Sequence, residues 1–278
     1  MELESIALLL GWGLLVGVVF SIIGAAGGIL ASFGLMTLVG VTDPNAVKPM
    51  AQIMTLVMVM TFLPLYWQRA ACVPSMGLLL SVGSVAGAWL GSSFSSQYLH
   101  DMQVFRPLFG VLAVLIAVQI FWKVLFRPSA AKQPVVSQGV HGFSLRKGHL
   151  DFSHGTRAFH IAVWHPLLAG FLIAMVAAMF GVGGGFLLVP FMASLLGMPM
   201  YIVPATAAIP ILIGCSVSVA NYLRLGAEPD YGVLVLLAIG GVVGAIIGPR
   251  LNRLARERWL QALLGVVITG IGVKYVLV

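Results

Sequence analysis

Charge is what this sequence has least of. Only 8% of its 278 residues are Asp, Glu, Lys or Arg, against roughly a quarter in a soluble domain. So few charges cannot solvate a globular surface, which excludes an ordinary soluble domain and makes lipid the solvent for most of the chain. Acidic residues are scarcest, with eight Asp and Glu in all and none inside the long apolar runs. That excludes an intramembrane carboxylate pair of the kind a proton relay or a metal-dependent reaction uses. Cysteine is nearly absent: Cys72 and Cys215 stand far apart, in or beside apolar stretches, and read as small apolar filler rather than a redox or metal motif. A P-loop, a dinucleotide fingerprint and a nucleophile motif are missing too. No cofactor, no bound metal and no enzyme activity are therefore expected. The first apolar run is preceded by Glu2 and Glu4 rather than by basic residues, which argues against a cleavable signal.

What the chain does have is apolar length. A bilayer core takes about 20 apolar residues per helix. Runs of that order fall near 6–23, 46–67, 74–98 and 104–126, and again near 165–182, 203–223, 231–249 and 259–277. Two shorter apolar pieces, 29–40 and 186–197, each follow a glycine cluster. Residues 127–164 form the only extended polar region and read as a linker outside the membrane. The net charge of +7 is gathered in short stretches between apolar runs, the pattern of cytoplasmic loops rather than of a nucleic-acid-binding surface.

The two sets of runs resemble each other. A shift of 157 positions places Gly13 on Gly170, Gly24 on Gly181, and Gly27–Gly28 on Gly184–Gly185; it also places Gly83, Gly87 and Gly91 on Gly240, Gly244 and Gly248. One constant offset over such a stretch indicates an internal duplication. Arg127, Lys132, Arg146, Lys147 and Arg157 put the linker on the cytoplasmic side, and Arg250, Arg253, Arg256 and Arg258 do the same for a later loop. An even number of crossings must separate them, which requires 186–197 to return part-way as a half-helix, and 29–40 likewise. The expected fold is an all-α integral membrane protein of two inverted repeats, each of four spanning helices plus a glycine-broken half-helix. The repeats occupy 1–126 and 165–278 around a cytoplasmic linker at 127–164, with both termini outside.

The candidate site lies at the glycine hairpins, GAAGG at 24–28 and GVGGG at 181–185. Consecutive glycines permit a tight reversal and leave backbone N–H groups unshielded at a half-helix N-terminus, where an anion is favoured. Gly24, Gly27, Gly28, Gly183, Gly184 and Gly185 are the positions singled out. The glycine stripes at 84–91 and 240–248 read instead as close helix packing. Few polar side chains interrupt the spans. Lys48 and Gln52 sit one turn apart on one helix face, with Thr55 on a neighbouring face; Thr206 aligns with Pro49, and Ser216, Ser218 and Asn221 follow. Lys48 reads either as an anion ligand or as a lysine snorkelling to the interface. Arg69 and Arg224 read as interfacial anchors. Five histidines, His141, His149, His154, His160 and His165, fall in or beside the linker with Asp151, in no structural zinc spacing.

The segment FGVGGGFLLVP at 180–190 and the G-x-x-x-G-x-x-x-G of 240–248 resemble the sulfite exporter TauE/SafE family of membrane proteins. The resemblance covers both apolar halves and leaves out the linker. The first-half version, IGAAGGILAS, lacks the middle glycine and the following proline. The resemblance implies a secondary transporter of a small anion such as sulfite or an organosulfonate, usually outward, as a multi-pass protein of a prokaryotic inner membrane. Gln52, Thr55 and Thr206 would then supply neutral donors beside the hairpins, and Lys48 positive charge. Expected partners are the small anion and the lipid bilayer, not nucleic acid; a coupling ion, proton or sodium, and a homodimer are left open. A second reading, from another class, is a membrane-embedded enzyme or metal-sensing protein that uses the histidine-rich linker.

Overall fold

A computed structural model describes residues 3–23, 27–67, 72–126, 140–146, 149–154, 157–198, 202–254 and 257–277. Its first half runs α1 (Leu3–Ile23), α2 (Gly27–Gly34), α3 (Pro44–Trp67), α4 (Pro74–Tyr98) and α5 (Met102–Phe126). The second half runs α6 (Trp164–Phe180), α7 (Gly185–Pro190), α8 (Val203–Arg224), α9 (Tyr231–Leu254) and α10 (Glu257–Leu277). Both short helices pass into a π-helical turn, Leu35–Val39 after α2 and Phe191–Leu195 after α7. Among the described residues five helices are long and apolar enough to cross a membrane, with windows at Glu4–Ser21, Pro74–Tyr98, Met102–Trp122, Val203–Arg224 and Tyr231–Gly248. Large apolar side chains such as Leu78, Val82, Leu115, Trp122, Ile239 and Leu263 are exposed on the outer faces, as a lipid-facing surface requires.

The halves interlock. α1 packs on α9, α4 on α6, α5 on α10 and α3 on α8. Glycine sets the first two contacts. A Cβ on Gly83, Gly87 or Gly91 of α4 would overlap the backbone of Leu167, Phe171 or Met175 on α6, and one on Gly240 or Gly244 of α9 would overlap Leu10 or Leu14 of α1. Lipid gives helices no hydrophobic reason to associate, so close backbone approach through small residues supplies the packing. Arg224 lies exposed at the end of α8, its guanidinium 4.7 Å from the Trp89 ring centroid. Arg69 lies outside the described residues.

The membrane body is all-α, as expected, and the linker adds a small sheet. Val140–Arg146 (β1), His149–His154 (β2) and Arg157–Ala162 (β3) form a three-stranded antiparallel sheet in the order β1-β2-β3. β2 alternates polar His149, Asp151 and Ser153 with apolar Leu150 and Phe152, the two-residue period of a strand. Ile161 on β3 is buried and belongs to the main hydrophobic core, which ties the sheet to the helical body.

Candidate functional site

The spacing of Lys48, Gln52 and Thr55 along α3 is four residues and then three, which aligns all three on one helix face. Thr55 thus shares the face of the other two instead of a neighbouring one. That face meets the hairpin between α6 and α7. Gly181 ends α6 with φ 72°, Gly183 and Gly184 follow at 78° and 73°, and α7 begins at Gly185. A residue with a side chain costs about 1–2 kcal/mol in this left-handed region. Space is as restrictive as conformation. A Cβ on Gly181 would lie 2.7 Å from the Lys48 Cα, and one on Gly183 would lie 2.7 Å from the Thr55 Cγ2. The Gln52 amide nitrogen donates to the Ala177 carbonyl at 3.4 Å, in the last turn of α6.

The hairpin's own bonds run from the Val182 N–H to the Ala177 carbonyl, from the Gly185 N–H to the Gly183 carbonyl, and from the Leu187 and Leu188 N–H groups to the Gly184 carbonyl. These bonds engage neither the Gly183 nor the Gly184 N–H. The other hairpin comes to the same place. Gly28, near the start of α2, approaches the Val182 carbonyl so closely that a Cβ would overlap it, and Gly27 is closed off by the Phe20 ring. Gly24 lies outside the described residues.

Beside the second hairpin is a small cavity. Gln52, Gly183, Gly184, Ser84 and Ser218 contribute its polar groups, and Ala174, Ala177, Pro210, Gly214 and Cys215 are among its walls. The centre of a water molecule has about 20 Å³ to move in there. One water needs about 10–15 Å³ by this measure, so the cavity suits one or two waters or one small ion and excludes a nucleotide or a sugar. Two buried polar atoms at its edge, the Gln52 Oε1 and the Ser218 Oγ, have no hydrogen-bond partner. Ser84 Oγ donates to the carbonyls of Leu80 at 2.9 Å and Gly170 at 3.3 Å. No Lys, Arg, Asp or Glu lines the cavity among the described residues.

This geometry of broken helix, left-handed glycines and polar cavity sits on the segment that carried the resemblance. The sequence profile described as "Sulfite exporter TauE/SafE" matches residues 9–275. The chain belongs to the sulfite exporter TauE/SafE family. It is 25% identical to a protein of Bacillus subtilis (strain 168) described as "Probable membrane transporter protein YunE", over 98% of this chain and 97% of that one. It is similar also to two proteins described as "Probable membrane transporter protein". One is from Xylella fastidiosa (strain 9a5c), at 26% identity over 98% of this chain and 95% of the relative; the other is from strain Temecula1 / ATCC 700964, at 25% over the same shares. No solved structure matches. Family and helices together make this a multi-pass membrane protein of the transporter class.

Lys48 and Thr206 hold the two ends of α4 in this TauE/SafE chain. Lys48 is fully buried, so it does not snorkel. Its ammonium donates to the Leu99 carbonyl at 2.7 Å, to the Ser95 carbonyl at 3.4 Å and to the Asn45 Oδ1 at 3.3 Å, and it lies 4.9 Å from the centre of the Phe105 ring. Those carbonyls close the C-terminal end of α4, where a cation complements the helix dipole. Thr206 on α8 serves the opposite end of the same helix: its Oγ1 accepts from the Val73 N–H at 3.0 Å and donates to the Ile202 carbonyl at 2.7 Å. Lys48, Thr55 and Thr206 do not line the cavity, although Thr55 supports the hairpin that does.

Ser84, Ser218 and Cys215 are the cavity residues that the sequence left unassigned. Ser84 was hidden in a glycine stripe that reads as packing. Pro210, Gly214 and Ser218 follow one another at intervals of four along α8, a signal of one shared face. Nothing local says that this face looks toward the hairpin.

Proposed function

We propose that this protein is a secondary transporter that exports a small oxyanion, sulfite or an organosulfonate, across a prokaryotic inner membrane. The observation that carries the reading is the cavity at Gly183–Gly184, where unpartnered polar groups meet without a compensating charge. An oxyanion would take hydrogen bonds from the Ser218 hydroxyl, from the Gly183 and Gly184 N–H groups and from the second N–H of the Gln52 amide, whose nitrogen also donates to the Ala177 carbonyl. Fixed neutral donors replace hydration for an ion that must also leave again. Gly185 starts the short helical segment behind them, and its orientation adds a partial positive charge. Gly27 and Gly28 bring the partner hairpin against Val182. Thr55 holds Gly183 in place, while Lys48 and Thr206 hold α4, which supplies Ser84. Lys48 would then act on the anion through its field, one turn of α3 from Gln52, without touching it.

The exchange of partners between the halves supports reading 1–126 and 165–278 as inverted repeats around a cytoplasmic linker. In each half the first helix packs on the fourth helix of the other. Alternating access would be a rocking of one repeat against the other around the hairpins. An outward-moving anion is driven by the membrane potential at about 2.3 kcal/mol per charge at 100 mV, so no intramembrane carboxylate is needed for coupling.

Counterflow in proteoliposomes tests the proposal, with sulfite, thiosulfate, sulfoacetate, taurine and carboxylates as the panel. Saturable exchange of a sulfur oxyanion or sulfonate is expected. Exchange of carboxylates alone, or of none of these, would overturn the substrate assignment.

A further inference from the structure

We propose that Arg106 and Lys274 form a binding site for the headgroup phosphate of an anionic phospholipid, at one end of the α5–α10 pair. The chain brings both cations to that end. Arg106 lies in the second turn of α5 and Lys274 in the last turn of α10. The two helices run antiparallel in close contact. A Cβ on Gly110 would lie 3.0 Å from the Val276 nitrogen, and one on Gly272 would lie 3.0 Å from the Val114 nitrogen. Arg106 is one turn before Gly110, which puts it beside the C-terminal turn of α10.

Tyr275 is the shared neighbour of the two cations. Its ring centre is 5.9 Å from that of Phe33 and 6.1 Å from that of Phe109. The Lys274 ammonium is 5.7 Å from the Phe33 ring centre, and the Arg106 charge acts on the Tyr275 phenol. The phenol oxygen is 2.6 Å from the Thr37 Oγ1, in the π-helical turn after α2.

Neither cation is answered by an acid. Lys48 and Arg224 meet carbonyls or a ring, but the Arg106 Nε is buried without a hydrogen-bond partner. Among the described residues no carboxylate pairs with Arg106 or Lys274. Asp101, five residues before Arg106, accepts the Gln103 N–H at 2.8 Å instead. A donor shut away from water stays costly until an acceptor reaches it. The guanidinium fork matches a phosphate, and the lysine adds a point charge.

The surroundings favour lipid as the source of that phosphate. Val104 and Leu108 flank Arg106 on α5, and Val273, Val276 and Leu277 flank Lys274 on α10; all five are exposed. Acyl chains lying along these side chains would hold a phosphate at the helix ends, where headgroups sit. A free anion in water gains nothing from such an apolar frame. Through Tyr275 and Thr37, a bound headgroup would tie α5 and α10 to the broken helix of the first half.

The experiment uses the full chain in detergent, with dioleoylphosphatidylglycerol as the anionic probe and dioleoylphosphatidylcholine as the zwitterionic one. Native mass spectrometry counts bound lipid, and the melting temperature reads its effect on the fold. The wild type is expected to retain a single phosphatidylglycerol in preference to phosphatidylcholine, and to melt higher with it. Arg106→Gln and Lys274→Gln should each weaken phosphatidylglycerol binding about fivefold, the effect of one charge at a membrane surface. Arg106→Lys, which keeps the charge without the fork, should fall between wild type and Arg106→Gln. Arg224→Gln, at an exposed cation elsewhere, should leave binding unaltered. Inorganic phosphate should neither raise the melting temperature nor displace the lipid. Size-exclusion profiles matched to wild type show that the variants remain folded. Equal retention of the two lipids, wild-type affinity in both glutamine variants, an equal loss in Arg224→Gln, or displacement by inorganic phosphate would each overturn the proposal.

Discussion

The Lys48 ammonium donates a 2.7 Å hydrogen bond to the carbonyl of Leu99, the residue that closes α4. A cation buried to this degree has to be compensated: its hydrogen bonds go to the Leu99 and Ser95 carbonyls and the Asn45 side chain, and Asp43 adds favourable charge. Lys48→Met would leave the Leu99 and Ser95 carbonyls without this donor, at a cost of about 1–3 kcal/mol. The expected result is a lower melting temperature in detergent together with reduced counterflow, with Lys48→Arg keeping most of both. Wild-type transport by Lys48→Met would remove the charge from the mechanism.

At Gly184 the left-handed conformation is the main constraint, since the nearest atom to an added Cβ, that of Ala177, is 3.4 Å away. Gly184→Val is expected to abolish counterflow while the chain still purifies as a single species. Gly184→Asn should melt closer to wild type, because asparagine tolerates this region best among residues with a side chain. Gly183→Ala should be worse than Gly184→Ala, since it adds a clash with Thr55. Normal transport by Gly184→Val would place the substrate elsewhere.

Cys215 lines the cavity and carries a free thiol. In a Cys72→Ser background, a small membrane-permeant thiol reagent should modify Cys215 slowly. A transported anion should slow it further, whereas a non-transported anion of equal charge should not. Equal rates with and without substrate would separate the cavity from the transport path.

Gly87 and Gly270 offer a paired comparison within one experiment. A Cβ at Gly87 would overlap the Phe171 backbone, whereas one at Gly270 meets nothing within 4 Å. Gly87→Ala should lower the melting temperature by forcing α4 from α6. Gly270→Ala should hold or raise it, since alanine stabilises a helix by up to about 1 kcal/mol over glycine.

The inverted-repeat reading predicts both ends of the chain outside. Single cysteines at Glu4 and Leu277, in a chain lacking Cys72 and Cys215, should both react with an impermeant maleimide in intact cells. Labelling of the two ends from opposite sides would sink that topology.

The helices were legible because lipid imposes a plain rule on composition: runs without charge become spans. Two breaks were legible as well, since GAAGG and GVGGG each end one helix and begin a shorter one. The Lys48–Gln52 face was visible from spacing, although the structure turns the Lys48 ammonium to the end of α4. The cavity was not legible, because it depends on which face of α8 meets the hairpin and on Ser84 coming across from α4. Those are choices of helix partner, set by glycine contacts between distant segments. The sheet escaped for another reason. His149, Leu150, Asp151, Phe152 and Ser153 alternate as a strand should, but histidine and charge drew the reading toward composition and away from period.

The pairing of α1 with α9 bears on how the protein is made. α1 ends at Ile23 and α9 begins at Tyr231, so on the ribosome the first helix enters the bilayer long before the helix that covers its glycines exists. Until then Gly13 and Gly17 offer bare backbone to whatever helix is near. The same wait befalls α4, whose glycine stripe stays uncovered until α6 follows the linker. Synthesis of this chain therefore includes an interval in which the glycine surfaces of α1 and α4 have not yet met the helices that cover them.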